Sequence, residues 1–199
     1  MTSLQTICLF CGSAAGSTSV YSEAAINLAS VLLKRRINLV YGGANIGLMK
    51  VAADKILEAG GVVIGVMPKS LADREVAHER LTKMHIVSGM QERKALMAEL
   101  SDGFITMPGG YGTFDEIFEM LSFNQLKLLQ KPVGILNVNG YFDPLLEQLD
   151  KAVKEGFLRP EHRELLISDT DPERLIDRME AFVPVEAEKW IDRLKKGKI

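Results

Sequence analysis

Short apolar runs alternate with stretches of helical periodicity along nearly the whole chain, and this alternation limits the fold more than any other feature. Strands are expected at Thr6 to Phe10, Ile37 to Tyr41, Val62 to Val66, near Met84 to Val87, Phe104 to Met107 and Val133 to Leu136. Helical spacing fills the gaps at Val20 to Arg35, Leu48 to Ala59, Met90 to Leu100, Thr113 to Leu129 and Tyr141 to Glu155. Strand, helix, strand, repeated in this way, predicts an α/β, Rossmann-like, doubly wound and mainly parallel sheet with helices on both faces. At 199 residues and 47% hydrophobic content the chain can bury one sizeable core, and no Pro- or Ser-rich linker divides it. A single nucleotide-binding domain over residues 1–199 is expected, with a C-terminal helical extension from about residue 170.

In such sheets ligands bind at the carboxyl ends of the strands. Three expected strands end there in glycine-rich turns: Cys11-Gly12-Ser13-Ala14-Ala15-Gly16, Tyr41-Gly42-Gly43-Ala44-Asn45-Ile46-Gly47 and Pro108-Gly109-Gly110-Tyr111-Gly112-Thr113. One such turn is ordinary chain geometry; three on one edge predict a nucleotide pocket, with Gly12, Ser13, Gly42, Gly43 and Gly109 as further loop candidates. None matches Gly-x-Gly-x-x-Gly, because Asp115 stands where the third glycine belongs, and there is no Gly-x-x-x-x-Gly-Lys-Ser/Thr. A dinucleotide dehydrogenase and a P-loop ATPase are both disfavoured.

The third turn carries the most chemistry. A helix is expected to open with Thr113 at its cap and two acids, Asp115 and Glu116, in its first turn. The backbone of Gly110, Gly112 and Thr113 suits a phosphate, whereas Glu116 adds a carboxylate where a phosphate-binding loop gains nothing from negative charge. An acid beside a phosphate cradle points to a reaction on a phosphorylated substrate, and the helix dipole together with a neighbouring arginine is expected to keep Glu116 ionised. In the preceding helix Arg93 completes an apolar stripe of Met90, Leu96, Met97 and Leu100. An inward arginine needs a partner, so Arg93 either forms a structural ion pair, snorkels to the helix end or enters a polar cavity. Its helix starts on the ligand edge just before the third glycine turn, which allows Arg93 and Glu116 to converge.

Charge excludes several other classes. A net charge of −2 and a pI near 6.0 provide no basic field for nucleic acid. No run reaches the roughly 18 apolar residues of a membrane span, and Met1-Thr2-Ser3-Leu4-Gln5 lacks a secretory pattern, so no membrane partner and a cytoplasmic location are expected. Cys8 and Cys11 lie in or at the end of an apolar strand and are read as inert buried thiols. His78, His85 and His162 have no ligand spacing, so neither metal nor cofactor is expected. The polar segment Lys69 to Lys83, with Asp73, Arg74, Glu75, His78 and Glu79, is either a solvated face or a lid on the ligand edge. Val185 to Lys196 places Trp190, Ile191 and Leu194 on one helical face, suited to docking on the domain or on a second subunit.

Pro108-Gly109-Gly110-x-Gly112-Thr113-x-x-Glu116 together with Arg93-Lys94 resembles the Lonely Guy family, the cytokinin riboside 5′-monophosphate phosphoribohydrolases, once labelled lysine decarboxylases. Tyr41-Gly42-Gly43-x-x-x-Gly47-Leu48-Met49 and Lys131-Pro132-Val133-Gly134-Ile135-Leu136-Asn137 fit the same family, and the likeness extends from about Thr6 to Phe157. The resemblance implies hydrolysis of the N-glycosidic bond of an adenosine-type 5′-monophosphate, with Arg93 and Glu116 catalytic. It further implies that Glu75, Arg93, Lys94, Gly110, Tyr111, Gly112, Thr113, Phe114, Asp115, Glu116 and Ser122 line the substrate site, and that the protein is a homodimer. Gln91, Asp115 and Ser122 depart from residues common in the family and bear on substrate preference. Pyridoxal-dependent decarboxylation has no support, because no lysine with a ring-nitrogen partner in a larger scaffold is present. The competing readings are a nucleotide or molybdenum-cofactor carrier without turnover, and an AMP nucleosidase indifferent to the N6 position.

Overall fold

The computed structural model describes residues 4–72 and 77–184. The first half runs β1 (Thr6–Phe10), α1 (Ser19–Arg35), β2 (Asn38–Tyr41), α2 (Gly47–Glu58), β3 (Val63–Pro68), α3 (Lys69–Ala72), β4 (Lys83–Val87) and α4 (Met90–Glu99). The second half runs β5 (Gly103–Thr106), α5 (Tyr111–Gln125), β6 (Val133–Leu136), α6 (Asp143–Lys154), α7 (Pro160–Arg163), β7 (Leu166–Asp169) and α8 (Pro172–Glu180). The described residues form one seven-stranded sheet in the order β4-β3-β2-β1-β5-β6-β7, and every pairing is parallel.

Successive side chains of a strand point to opposite faces, and both faces here are apolar. Along β1, Ile7 and Leu9 pack with α1, α2 and α8, while Cys8 and Phe10 pack with α4, α5 and α6. Phe10 stacks on Phe104 of β5 with ring centroids 5.8 Å apart. The expected doubly wound architecture is therefore the one observed. Chain direction then creates the crevice. From β1 the chain winds outward to β4, returns to the middle of the sheet, and resumes with β5 beside β1. No connection crosses between the carboxyl ends of β1 and β5, so a cleft opens there.

Several boundaries differ from the sequence expectation. Helix α5 begins at Tyr111 with Gly110 as its cap, so Thr113 lies inside the helix and neither Asp115 nor Glu116 is in its first turn. Glycine serves because its extended backbone ends the preceding turn without needing a side-chain cap. The segment after β3 is not one long loop: α3 occupies its start and Ala77 bridges to Ala44. Edge strand β7 was not expected, whereas helix α8 falls where the C-terminal helical extension from about residue 170 was expected. Two apolar residues make β7 too short to announce itself, although Leu166 and Ile167 pair with Val133 and Gly134. Helix α8 is tied to α1 by Lys34 with Glu173 at 2.8 Å and Arg35 with Asp177 at 2.5 Å. Glu75 and the stretch from Val185 to Lys196 lie outside the described residues.

The loop after β2 is pressed onto the loop after β1. Gly47 has φ +57, and a Cβ there would lie 2.3 Å from the Ser13 carbonyl carbon. Both the left-handed conformation and the backbone contact forbid a side chain. Gly47→Ala is expected to destabilise the fold by roughly 2 kcal/mol or more, read as a lower urea midpoint with an unchanged slope.

Candidate active site

The cleft begins where two loops touch. Gly12 N–H donates to the Pro108 carbonyl at 2.9 Å, and Leu48 N–H donates to the Gly12 carbonyl at 3.1 Å. Gly109 is bare for steric reasons, since a Cβ there would lie 2.1 Å from Thr113 Oγ1 and 2.8 Å from Gly12 N. Tyr141 Oη donates to the Gly109 carbonyl at 2.6 Å and holds the turn from outside. Below these loops lies a cavity of about 260 Å³. Leu9, Cys11, Met49 and Leu71 form its apolar lining, and Ser13, Gly42, Arg93, Gly110, Tyr111, Gly112, Thr113 and Glu116 supply the rest.

Arg93 and Glu116 meet inside it. Their side chains come within 3.7 Å and are 13% and 11% exposed, so the ion pair is largely withdrawn from water. At that separation they are not directly hydrogen-bonded, and each keeps bonding capacity for a ligand. Arg93 Nε donates to the Val66 carbonyl at 3.2 Å, which aims the guanidinium across the sheet edge. Thus the inward arginine of the α4 stripe enters a polar cavity.

The start of α5 supplies the anion-binding part. The first intrahelical donor is Phe114 N–H, to the Gly110 carbonyl at 3.1 Å. N–H groups of Tyr111, Gly112 and Thr113 precede it, and Gly110 caps the helix without a side-chain hydrogen bond. A Cβ on Gly110 or Gly112 would meet nothing within 4 Å, because those positions face the open cavity. Their lack of side chains leaves room for a ligand to reach the helix end. Among the described residues no group of three or more His, Cys, Asp and Glu is placed to hold a metal ion.

The other expected residues are arranged differently. Gly12, Ser13, Gly109 and Gly110 line an adjoining cavity of about 430 Å³ with Tyr21 and Tyr141. Gly43 borders neither space; its φ of +80 lets the chain turn against Met84 and Gly65. Lys94, Phe114, Asp115 and Ser122 line a separate open groove with Phe118 and Glu119, on the outer side of α5. Lys94 is committed there to Asp115 and Glu119, each at 3.0 Å. Sequence reasoning missed Leu9, Cys11, Met49 and Leu71 as cavity walls. Met49 was visible in the motif that begins at Tyr41, but nothing marked Leu71.

With this geometry in view, likeness to known proteins becomes specific. Residues 49–179 match a family described as possible lysine decarboxylases. A cytokinin riboside 5′-monophosphate phosphoribohydrolase of Arabidopsis thaliana is 46% identical over 179 residues, covering 90% of this chain and 78% of the relative. A probable enzyme of the same name from Oryza sativa subsp. japonica is 45% identical over 189 residues, covering 95% of this chain and 77% of the relative. The chain belongs to the Lonely Guy family. Among solved structures, the molybdenum cofactor binding protein of Rippkaea orientalis superposes with a TM-score of 0.66 at 22% identity, over 88% of this chain and 95% of that one. The molybdenum cofactor carrier protein of Chlamydomonas reinhardtii gives 0.65 at 20%, over 89% and 98%. At such identities the likeness establishes the shared fold alone.

Within this Lonely Guy site Glu116 does not behave as a surface acid. Burial pushes its carboxyl up to about 7; Arg93 and Lys94 pull it down, and Asp115 and Glu119 push it further up. The expectation of an acid kept ionised by the helix dipole and a neighbouring arginine is thereby corrected, because Glu116 sits beyond the first turn and burial outweighs the pull of Arg93. Burial likewise raises the Cys8 and Cys11 thiols, which are free and inert.

A carboxyl raised in the folded state costs nothing where both states are protonated, and its cost grows between the ordinary value of 4.5 and about 7. Stability therefore falls as pH rises through that window. Glu116→Gln removes the cost, so the variant is expected to melt higher than the native protein above pH 7, with the gap closing toward pH 4.5. Thermal melts at three pH values measure it; a gap independent of pH contradicts the assignment.

Proposed function

We propose that this protein is a phosphoribohydrolase that cleaves the N-glycosidic bond of adenosine-type 5′-monophosphates, including N6-modified ones, releasing free base and ribose 5-phosphate. The observation that carries the reading is the meeting of Arg93 and Glu116 in one cavity with the unspent N–H donors of the α5 start. Relatives of known name at 45–46% identity over most of the chain support it. The carrier alternative leaves the enclosed Arg93–Glu116 pair without a task.

Breaking the bond makes the ribose oxocarbenium-like and moves electrons onto the leaving base. Glu116 is the carboxylate that stabilises this cation or activates water, whose hydroxyl ends on the sugar and whose proton ends on the base. With a carboxyl near 7, Glu116 exchanges its proton readily at neutral pH. Arg93 holds Glu116 and offers donors to phosphate or base. The N–H groups of Tyr111, Gly112 and Thr113 hold the 5′-phosphate, so binding energy remote from the broken bond positions the reacting carbon. Glu75, Lys94, Phe114, Asp115 and Ser122 are proposed to act at the same substrate site, the last four from the groove between Lys94 of α4 and the outer face of α5.

A homodimer fits this arrangement. Tyr111 is 96% exposed and Phe118 37% exposed on the α5 face that carries the Lys94 groove, and Met90 and Ile86 are exposed nearby in sequence on α4 and β4. A second copy covering that face would bring the groove against the mouth of a site. A cytoplasmic location accords with two free thiols, and no helix among the described residues is long and apolar enough to cross a membrane.

Purified protein incubated with AMP and isopentenyladenosine monophosphate should release free base, read by chromatography. Arg93→Ala and Glu116→Gln should each reduce turnover by roughly 100-fold or more while the fold is retained. Adenosine should be about 10²- to 10⁴-fold poorer than AMP in kcat/KM, as expected for loss of charge-assisted contacts at the helix start. Equal rates for the two would replace this reading with a nucleoside hydrolase.

The dimer is checked by light scattering on eluting protein. The native chain should run at twice the monomer mass of 22.0 kDa, and Phe118→Arg should shift it toward monomer. A native monomer contradicts the assembly.

A further inference from the structure

The Arg93 guanidinium occupies space that a side chain would otherwise fill. A Cβ built on Gly42 would lie 2.1 Å from Arg93 Nη2, closer than non-bonded atoms approach. The guanidinium is thus enclosed by the Gly42 backbone, by the Val66 carbonyl at 3.2 Å and by Glu116 at 3.7 Å. Where the Gly42 backbone sits decides where the guanidinium sits.

That backbone is fastened from outside the cavity. His78 N–H donates to the Gly43 carbonyl at 3.0 Å, and Ala77 bridges to Ala44. His78 is 4% exposed, and its Nε2 lies 3.0 Å from Asp54 Oδ1 on α2. Its Nδ1 accepts Arg80 N–H at 3.2 Å, which leaves Nε2 as the protonated nitrogen that donates to Asp54. Asp54 also takes Arg80 Nη2 at 2.5 Å and Lys50 from the preceding turn of α2. The residues Asp54, His78 and Arg80 line neither the Arg93 cavity nor the space beside it. A buried histidine with every ring nitrogen engaged is a rigid connector.

We propose that Asp54 and His78 are positioning residues for Arg93: the buried histidine and its half-buried carboxylate partner clamp the chain at 77–80 onto α2, fix the Gly43 carbonyl, and thereby hold the Gly42 backbone against the guanidinium. Loosening the clamp lets Gly42 and Arg93 part. The kinetic consequence rests on the hydrolase reading above, whereas the geometric one does not.

Glu116 reports the distance to Arg93 directly. Arg93 and Lys94 favour its charged form, while burial, Asp115 and Glu119 oppose it, and the Cys8 and Cys11 thiols lie close enough to feel it. Withdrawal of Arg93 must therefore raise the Glu116 titration midpoint. Gly42→Ala is the reference: its backbone is not left-handed and the clash falls on the end of a flexible side chain, so the fold is kept and Arg93 is displaced.

The test follows the Glu116 carboxyl by carbon-13 NMR against pH and kcat and KM for AMP in parallel. His78→Ala and Asp54→Ala should raise the midpoint by about half a unit or more, in the same direction as Gly42→Ala. They should lower kcat about 10-fold with KM within about twofold, because the phosphate donors on α5 are untouched. His78→Gln keeps a donor near the Nε2 position and should restore both values; a purely structural loss would not move the titration. A folded His78→Ala protein with native midpoint and kcat overturns the proposal. Should His78→Ala fail to fold, Asp54→Asn decides by the same readouts: a raised midpoint supports the clamp and a native one overturns it. Native protein that releases no base from any monophosphate sinks the hydrolase reading, and the carboxyl titration still decides the clamp.

Discussion

A parallel sheet covered on both faces leaves only its strand ends open to a ligand, and most of this molecule follows from that constraint. Because β1 and β5 are adjacent although their chain connections depart in opposite directions, their carboxyl ends frame a cleft that no crossover fills. Each connection that leaves this edge toward a helix presents N–H groups there. Helices α1, α2, α4 and α5 all begin without a side-chain hydrogen bond at the cap. The Leu48 N–H of α2 is taken by the Gly12 carbonyl, whereas the N–H groups of Tyr111, Gly112 and Thr113 open α5 beside the cavity, so the edge suits anions before any particular side chain is considered.

Within that cleft, burial and charge oppose each other. Glu116 is drawn into the protein by the amphipathic spacing of α5, whose Ile117 and Met120 belong to the core. Once inside, it resists ionisation, and Arg93 offsets only part of the penalty. A carboxyl that titrates near neutrality is useful for moving protons and poor for stability. The same burial that stabilises α5 thus creates the reactivity of the site and lowers the stability of the fold above neutral pH.

Glycine carries two different duties here. Gly47 is bare because backbone lies where a side chain would go, and Gly109 because the Thr113 hydroxyl and the Gly12 backbone do, and together they lock three loops. Gly110 and Gly112 are bare toward the cavity. Gly42 lies between these cases, since its missing side chain is replaced by the Arg93 guanidinium. Sequence alone assigned Gly110 and Gly112 to the phosphate and Gly42 and Gly109 to the nucleotide loops, but it did not separate these duties.

Much was legible in the chain. Strand and helix periods predicted the doubly wound sheet and placed β1 and β6 at their observed bounds, because uninterrupted apolar runs leave few alternatives. Glycine turns after β1, β2 and β5 indicated the ligand edge, and the charged residue on the apolar stripe of α4 singled out Arg93. Local pattern could not reveal β7, whose few apolar residues acquire meaning only beside β6, or the role of His78, whose partner Asp54 is remote in the chain. Nor could it set the state of Glu116: a helix start favours a charged carboxylate, burial disfavours it, and the balance depends on how far into α5 the residue falls and what covers it. Residue order thus determined which groups were available and which edge would gather them. Tertiary structure decided their distances and their contact with water, and on those two quantities electrostatic energy depends.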